Sequence, residues 1–435
     1  MKKNYPMMWV PSLYFAEGVP YFAVNALAVL LYTQMGIAVK EMTFFTSLLS
    51  LPWVIKPFWA PIVDIFSSKR RWVVWMEIAI AIGLAGVAFF LSFSSFFVLT
   101  LILFMALAFF SATHDIAADG FYMLGLTHHQ QASYSGLRNT FYRIANLFTQ
   151  GGMVALSGLL IGYGVNMRNS WIIVFGILAA IFLLLALYNN FLMPRPEQDA
   201  IRSEKTIKDV FKEFGETFVV FFTKKHIVAA LAFMLLYRLP EALLSKLTMP
   251  FFTATRAEGG LALDNTSIGI AYGTVGVIAL LAGGITGGLC IGRGGLKKWL
   301  WWMALSLTIP SGFYCYLAMA QPENLLLISI GIGIEQFGYG FGFTAFMLYL
   351  IYFSEGKFKT SCYAFCTGIM ALGMMLPGMA AGWIYEKLST LVLFGQSTSP
   401  QGFINFFWFM MLCCAATFVA CACVKIPADF GKKRA

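Results

Sequence analysis

Charge is what this sequence has least of. Only 11% of its 435 residues are Asp, Glu, Lys or Arg, under half the roughly 25% of soluble domains, which excludes an ordinary water-soluble fold. Histidine is scarce at 4 residues, and cysteine is absent before Cys290. The 8 cysteines, from Cys290 to Cys423, lie mostly in apolar runs. Cys362, Cys366, the Cys413–Cys414 pair, Cys421 and Cys423 have no histidine partners, so they read as small buried hydrophobes, not a metal site or disulfide framework. No cofactor or metal is expected. Net charge is +10, yet the basic residues form short runs between apolar segments. That pattern writes membrane topology and gives no reason to expect nucleic acid.

What remains is apolar: 59% of the residues, with a mean hydropathy of +0.76. This is an integral membrane protein. Glu17 interrupts the first apolar run and no small-residue cleavage site follows, so that run is expected to stay as an uncleaved span. A span needs about 20 apolar residues. Twelve fit that ruler, at 9–32, 42–65, 72–93, 96–123, 134–162, 170–192, 226–252, 266–290, 297–319, 324–352, 359–386 and 402–424. With the N-terminus inside, four basic residues (Lys40, Arg168, Arg256, Lys387) face out and four (Lys56, Arg143, Arg238, Lys246) lie within spans. The other 22 of the 30 are then cytoplasmic, which predicts both termini in the cytoplasm and contact with anionic membrane lipid as a secondary effect.

The expected fold is all-α, with two six-helix halves, 1–193 and 226–435, joined by a cytoplasmic linker at 194–225. Within the linker, Ile207–Phe222 has roughly helical apolar spacing; it reads equally as a surface-lying amphipathic helix or a solvated tether. Two six-span halves predict a transporter of repeated three-helix units with its binding site at the midplane between them.

The intramembrane charges carry the functional reading, because such groups usually face a bundle interior or an aqueous route. The stretch ATHDIAADGFY, Ala112 to Tyr122, puts Asp115 and Asp119 one helical turn apart on one face. Numbered in threes, each triplet-leading span carries a charge: Glu17, then Asp115 and Asp119, then Arg238 and Glu241, then Glu335. Proton coupling is assigned to Glu17, Asp115 and Asp119, with His114 beside Asp115 and Arg143 as the expected partner of either aspartate. Lys56, Glu77 and Arg143 are read as a compensating network at the depth of Asp115.

Cargo contacts are assigned to Tyr21 and Asn25, to Arg143, Asn146 and Gln150 at helical spacing, and to Arg238, Glu241, Glu335 and Gln336. Pro240 between Arg238 and Glu241 predicts a hinge. The two charges either satisfy one another or, with Lys246 further along, hold an anionic group of the cargo. Glycines at 338, 340 and 342 predict close packing, with an aromatic binding surface as the alternative. Asp64, followed by Arg70 and Arg71, predicts an inner gate, and the equivalent turn of the second half, Gly287 to Lys298, repeats the glycines and the basic residues, including Arg293, without the aspartate.

Trp59-x-Pro61-x-x-Asp64, Asp115-Ile116-Ala117-x-Asp119-Gly120, Gly287-Gly288 with Arg293, and Pro377-Gly378 with Gly382-Trp383 together resemble the peptide/acetyl-coenzyme A/drug transporter family of the major facilitator superfamily. Among its bacterial members the chain most resembles the AmpG-type muropeptide permeases. The resemblance implies a proton-dependent importer of anhydromuropeptides from periplasm to cytoplasm in the bacterial inner membrane, and makes Asp64, Asp115, Asp119 and Arg293 motif residues. Ile65 departs from the pattern, standing where a basic residue often follows the aspartate. The expected partners are a small sugar-peptide, protons and lipid, with the chain a monomer. Siderophores and acyl-coenzyme A are alternative cargoes. A prenyltransferase using Asp115 and Asp119 is the enzymatic alternative, although the second aspartate-rich segment such enzymes use is missing.

Overall fold

The computed structural model describes residues 6–126, 128–195, 207–356, 359–391, 401–428 and 430–431. The side chain of Asp64 and the linker residues 196–206 lie outside them. Among the described residues every regular element is a helix, and 11 helices are long and apolar enough to cross a membrane. The apolar stretch expected at 42–65 is the exception. It forms two shorter helices, Val39–Leu48 and Leu51–Phe66, interrupted at Leu49 and Ser50. Pro52, whose missing N–H costs nothing in a first helical turn, sits where the second helix starts.

Helix starts follow local chemistry. Ser68 caps Lys69–Phe90 by accepting from Arg71 N–H at 3.4 Å, Asn166 caps Met167–Leu192 at 2.8 Å, and Asn324 caps Leu325–Ser354 at 2.9 Å. Each relieves one of the amide groups left unpaired at a helix start. Ile207–Phe222 in the linker is helical.

The chain forms two compact units. The first comprises residues 1–31 and 55–215; the second comprises 32–54 and 216–435. The first is built on an aromatic core in which Trp9 meets Phe121 edge-on at 5.0 Å and Tyr14 meets Tyr122 at 5.7 Å. Gly18 lets the first helix lie tight on its neighbour: a Cβ there would fall 2.7 Å from the Ala145 Cβ.

In the second unit aromatic contacts such as Phe233 with Tyr349, ring centroids 4.4 Å apart, are joined by close glycine packing. A Cβ at Gly283 would fall 2.1 Å from the Phe337 carbonyl oxygen, and one at Gly340 the same distance from that of Leu280. Asn265–Gly294 and Leu325–Ser354 therefore touch backbone to backbone, which is the packing expected of the glycine-rich stretch. The segment 32–54 docks within this unit as well, with Thr43 Oγ1 accepting from Gly382 N–H at 3.1 Å and Gln34 hydrogen-bonded to Asn265.

Candidate functional site

In the first unit the fold gathers five charged side chains from four helices. Lys56 pairs with Asp115. Arg138 pairs with Asp119 at 2.8 Å and lies over the Tyr14 ring at 4.5 Å, while the Tyr14 hydroxyl donates to Asp119 at 3.2 Å. Glu17 is buried on the first helix, close enough to Asp115 and Asp119 for their charges to interact, and its Oε2 meets no hydrogen-bond partner among the described residues. The Ala112 to Tyr122 stretch is helical throughout, so its two aspartates share a face as their spacing predicts.

The partners differ from expectation. Arg143, the anticipated partner of either aspartate, makes no ion pair among the described residues. Lys56 and Arg138 take that role instead. Arg138 stands five residues before Arg143 on the same helix, a step that leaves the two on different faces. Sequence reasoning missed it because its place near the cytoplasmic edge of the expected span 134–162 reads as topological charge, whereas the helix itself begins at His128. Tyr134, one turn earlier and packed on the aromatic core, was the available hint. His114 also turns away from Asp115. Its Nε2 is 3.4 Å from Glu77 Oε1, which accepts from Asn189 at 2.5 Å, and Asn189 accepts from Ser12 at 2.6 Å. Adjacent residues on a helix point about 100° apart, so His114 and Asp115 enter separate networks.

The polar stripes close partly on themselves. Asn25 donates to the Tyr21 carbonyl at 3.0 Å, and Gln150 to the Asn146 side chain at 2.5 Å. Both stripes run into π-helical turns, Ala23–Leu27 and Leu147–Met153, which lie against each other. Such a widened turn adds a residue and shifts the face presented beyond it; it recurs at functional sites.

The second unit spaces its charges apart. The helix breaks at Tyr237, and Arg238 is the N-cap residue of Leu239–Thr253, with Pro240 in its first turn, so the expected hinge is a break in the structure. Arg238 grips Glu241 through two bonds, 2.7 and 3.0 Å, donates to Tyr339 at 2.7 Å and lies 4.7 Å over the Phe343 ring. Glu335 is buried, accepts from Gln336 at 2.9 Å and meets no cation among the described residues.

At the ends of the helices, Arg70 is bonded to the carbonyls of Met193 and Asn190, tying Lys69–Phe90 to the end of Met167–Leu192. Arg71 and Arg293 are exposed. Among the described residues no group of three or more His, Cys, Asp or Glu could hold a metal ion.

Comparison with known proteins fits this architecture. The anhydromuropeptide permease of Escherichia coli K12 is 24% identical over 411 residues, covering 93% of this chain and 78% of the relative. A putative transporter, AmpG 4, of Rickettsia conorii is 25% identical over 313 residues, covering 68% and 70%. Among solved structures, a bacterial homologue of the human lysosomal transporter Spinster superposes with a TM-score of 0.70 at 13% identity, covering 96% and 95% of the two chains. A D-xylose–proton symporter does so with 0.69 at 13% identity, covering 98% of each. At such identity the structures speak for the fold alone. The sequence profile of the Major Facilitator Superfamily matches residues 12–381, so this chain, a multi-pass membrane protein and a secondary transporter with no enzymatic chemistry, belongs to the major facilitator superfamily.

Proposed function

We propose that the protein imports anhydromuropeptides from periplasm to cytoplasm across the bacterial inner membrane, as a monomer, driven by protons through alternating access. The cargo assignment is supported by the similarity to the anhydromuropeptide permease. The coupling assignment rests on one observation. Glu17, Asp115 and Asp119 supply three carboxyls to a cluster holding two cations, Lys56 and Arg138. One proton brings these five side chains to neutrality.

Loss of the proton leaves a net negative charge in a partly buried cluster, where like charges are screened less than in bulk water. The helices carrying Glu17, Lys56, Asp115 and Arg138 would then relax together, and a carrier changes state when ligand or proton binds its two states unequally. In this reading 1–193 and 226–435 act as the two halves, twelve spans in all with both termini cytoplasmic. Tyr21, Asn25, Arg143, Asn146 and Gln150 from one half contact the cargo, as do Arg238, Glu241, Glu335 and Gln336 from the other. Asp64, Arg70, Arg71 and Arg293 serve the inner gate.

Uptake of labelled anhydromuropeptide into proteoliposomes, with and without an inward proton gradient, tests the proposal. Gradient-stimulated accumulation is expected. Equal uptake with and without the gradient would remove the coupling, and no uptake by folded protein would remove the cargo.

A further inference from the structure

Glu335 is a buried acid without a cation. It is 4% exposed and stands about 15 Å along the helix Leu325–Ser354, away from both ends. It accepts a hydrogen bond from the neutral Gln336 amide at 2.9 Å, and no Lys, Arg or His pairs with it among the described residues. A buried carboxylate ordinarily has a cation, because an isolated buried charge is costly. Glu241, in the same unit, has one in Arg238.

The groups that face Glu335 offer no positive charge. Glu241, Tyr272 and Tyr314 are near enough to interact with it electrostatically, and each is neutral or anionic. The cations of the surrounding helices are engaged or remote. Arg238 grips Glu241 and Tyr339, and Lys246 donates to the Thr46 hydroxyl. Arg293, Lys297 and Lys298 belong to the far end of the neighbouring helices, since Gly287 is already level with Thr344, nine residues beyond Glu335. Lys359 and Lys387 lie in the first and last turns of Lys359–Ser389.

Close packing keeps Glu335 in this condition. The residues four before and three after it share its helical face, and both are glycines with no spare room. A Cβ at Gly331 would fall 1.9 Å from the Phe313 ring, and one at Gly338 2.1 Å from the Ser306 carbonyl oxygen. The facing stretch is where Leu296–Thr308 gives way to the 3₁₀ turn Ile309–Gly312, and Pro310 there has no N–H to give the Ser306 carbonyl four residues back. Next to Phe313, the Tyr314 hydroxyl is buried without a hydrogen-bond partner. A hydrated counterion finds no space in such a place, whereas a proton needs none. An ionised Glu335 here would be an isolated buried anion, which costs far more than the neutral acid.

We infer that Glu335 is a second proton-binding site of this chain, holding one proton as a neutral acid in this state, apart from the proton of the Glu17, Asp115 and Asp119 cluster. The proton is bound to one carboxyl oxygen and leaves to water only when the packing around Gly331 and Gly338 opens, so the site loads and unloads with conformation. In the carrier reading Glu335 then meets the cargo as a hydrogen-bond donor and not as an anion. Its part in transport rests on that reading; proton binding itself does not.

The test is infrared spectroscopy of the purified full-length protein at neutral pH, which reads protonated carboxyls through their carbonyl stretch, with carbon-13 glutamate separating Glu from Asp. Wild type is expected to show a protonated, label-sensitive glutamate band that Glu335→Gln lacks and Asp115→Asn retains. On alkaline titration Glu335→Gln is expected to release one proton fewer than wild type. No protonated glutamate in wild type, or a band unchanged by Glu335→Gln, overturns the inference. Loss of the same band in Asp115→Asn overturns it too, because the proton would then belong to the cluster. If Glu335→Gln does not fold, Glu335→Asp decides: the acid leaves the labelled class, so the label-sensitive band must weaken by one carboxyl, and an undiminished band overturns the inference. Loss of the band in Glu335→Gln alongside failed uptake of labelled anhydromuropeptide by wild type would refute the cargo assignment and leave the proton site standing. Gradient-stimulated uptake with an unchanged band would refute the site alone.

Discussion

The two units handle buried charge in opposite ways. The first pools Glu17, Lys56, Asp115, Asp119 and Arg138 into one contiguous cluster. The second closes Arg238 onto Glu241 and leaves Glu335 and Lys246 apart from any opposite charge among the described residues. A pooled cluster responds as a whole, because moving one proton changes the energy of every member. Separated charges act singly and can each be satisfied by a ligand group. Under the proposed reading the contrast favours coupling in the first unit, with cargo contacts drawn from both.

The largest effects should follow from breaking the pool. Asp115→Asn is expected to abolish gradient-driven accumulation in proteoliposomes while the purified protein remains folded; undiminished accumulation would separate the cluster from coupling. Lys56→Met strands the Asp115 carboxylate of a partly buried pair, 22% and 19% exposed, so the loss should fall below the about 3–5 kcal/mol of a fully buried pair. Denaturant unfolding in detergent should show that loss. The double variant Lys56→Met, Asp115→Leu should recover most of it, since an apolar pair replaces the ionic one.

The same comparison predicts different packing sensitivity. Where the second unit relies on backbone contact at Gly283, Gly283→Leu must push Asn265–Gly294 off Leu325–Ser354, at about 1–3 kcal/mol or more by the same measurement. Glu335→Gln removes no ion pair, so its stability should stay within about 1 kcal/mol of wild type, the typical worth of one hydrogen bond. A loss as large as that of Lys56→Met would reveal a hidden cation and erase the distinction between the units. Smallest of all is Lys40→Ala, because both side chains of the Lys40–Glu386 pair are more than half exposed, at 53% and 55%. Exposed pairs contribute about 0–1 kcal/mol, and added salt should remove even that.

Much of this was readable from the residues alone. Apolar runs marked the spans, the spacing of Asp115 and Asp119 put them on one helical face, and Pro240 announced the break at Tyr237. The glycines at 338, 340 and 342 foretold close packing. The apolar stretch at 42–65 was less legible, because hydropathy measures composition and is blind to a two-residue interruption at Leu49 and Ser50. Assigning Arg143 to the aspartates failed for a similar reason: depth along a helix was known, rotation about its axis relative to neighbours was not.

The sequence by itself determined the membrane class, the placement of most apolar helices and the family, since each depends on composition, period or local motif. Tertiary structure alone decided which cation meets which carboxylate, that His114 belongs to Glu77, and that Lys246 faces hydroxyls without an acid. The reason is physical. Transfer into lipid is summed residue by residue along the chain, whereas charge pairing depends on distances between atoms of different helices, and those exist only once the helices have packed.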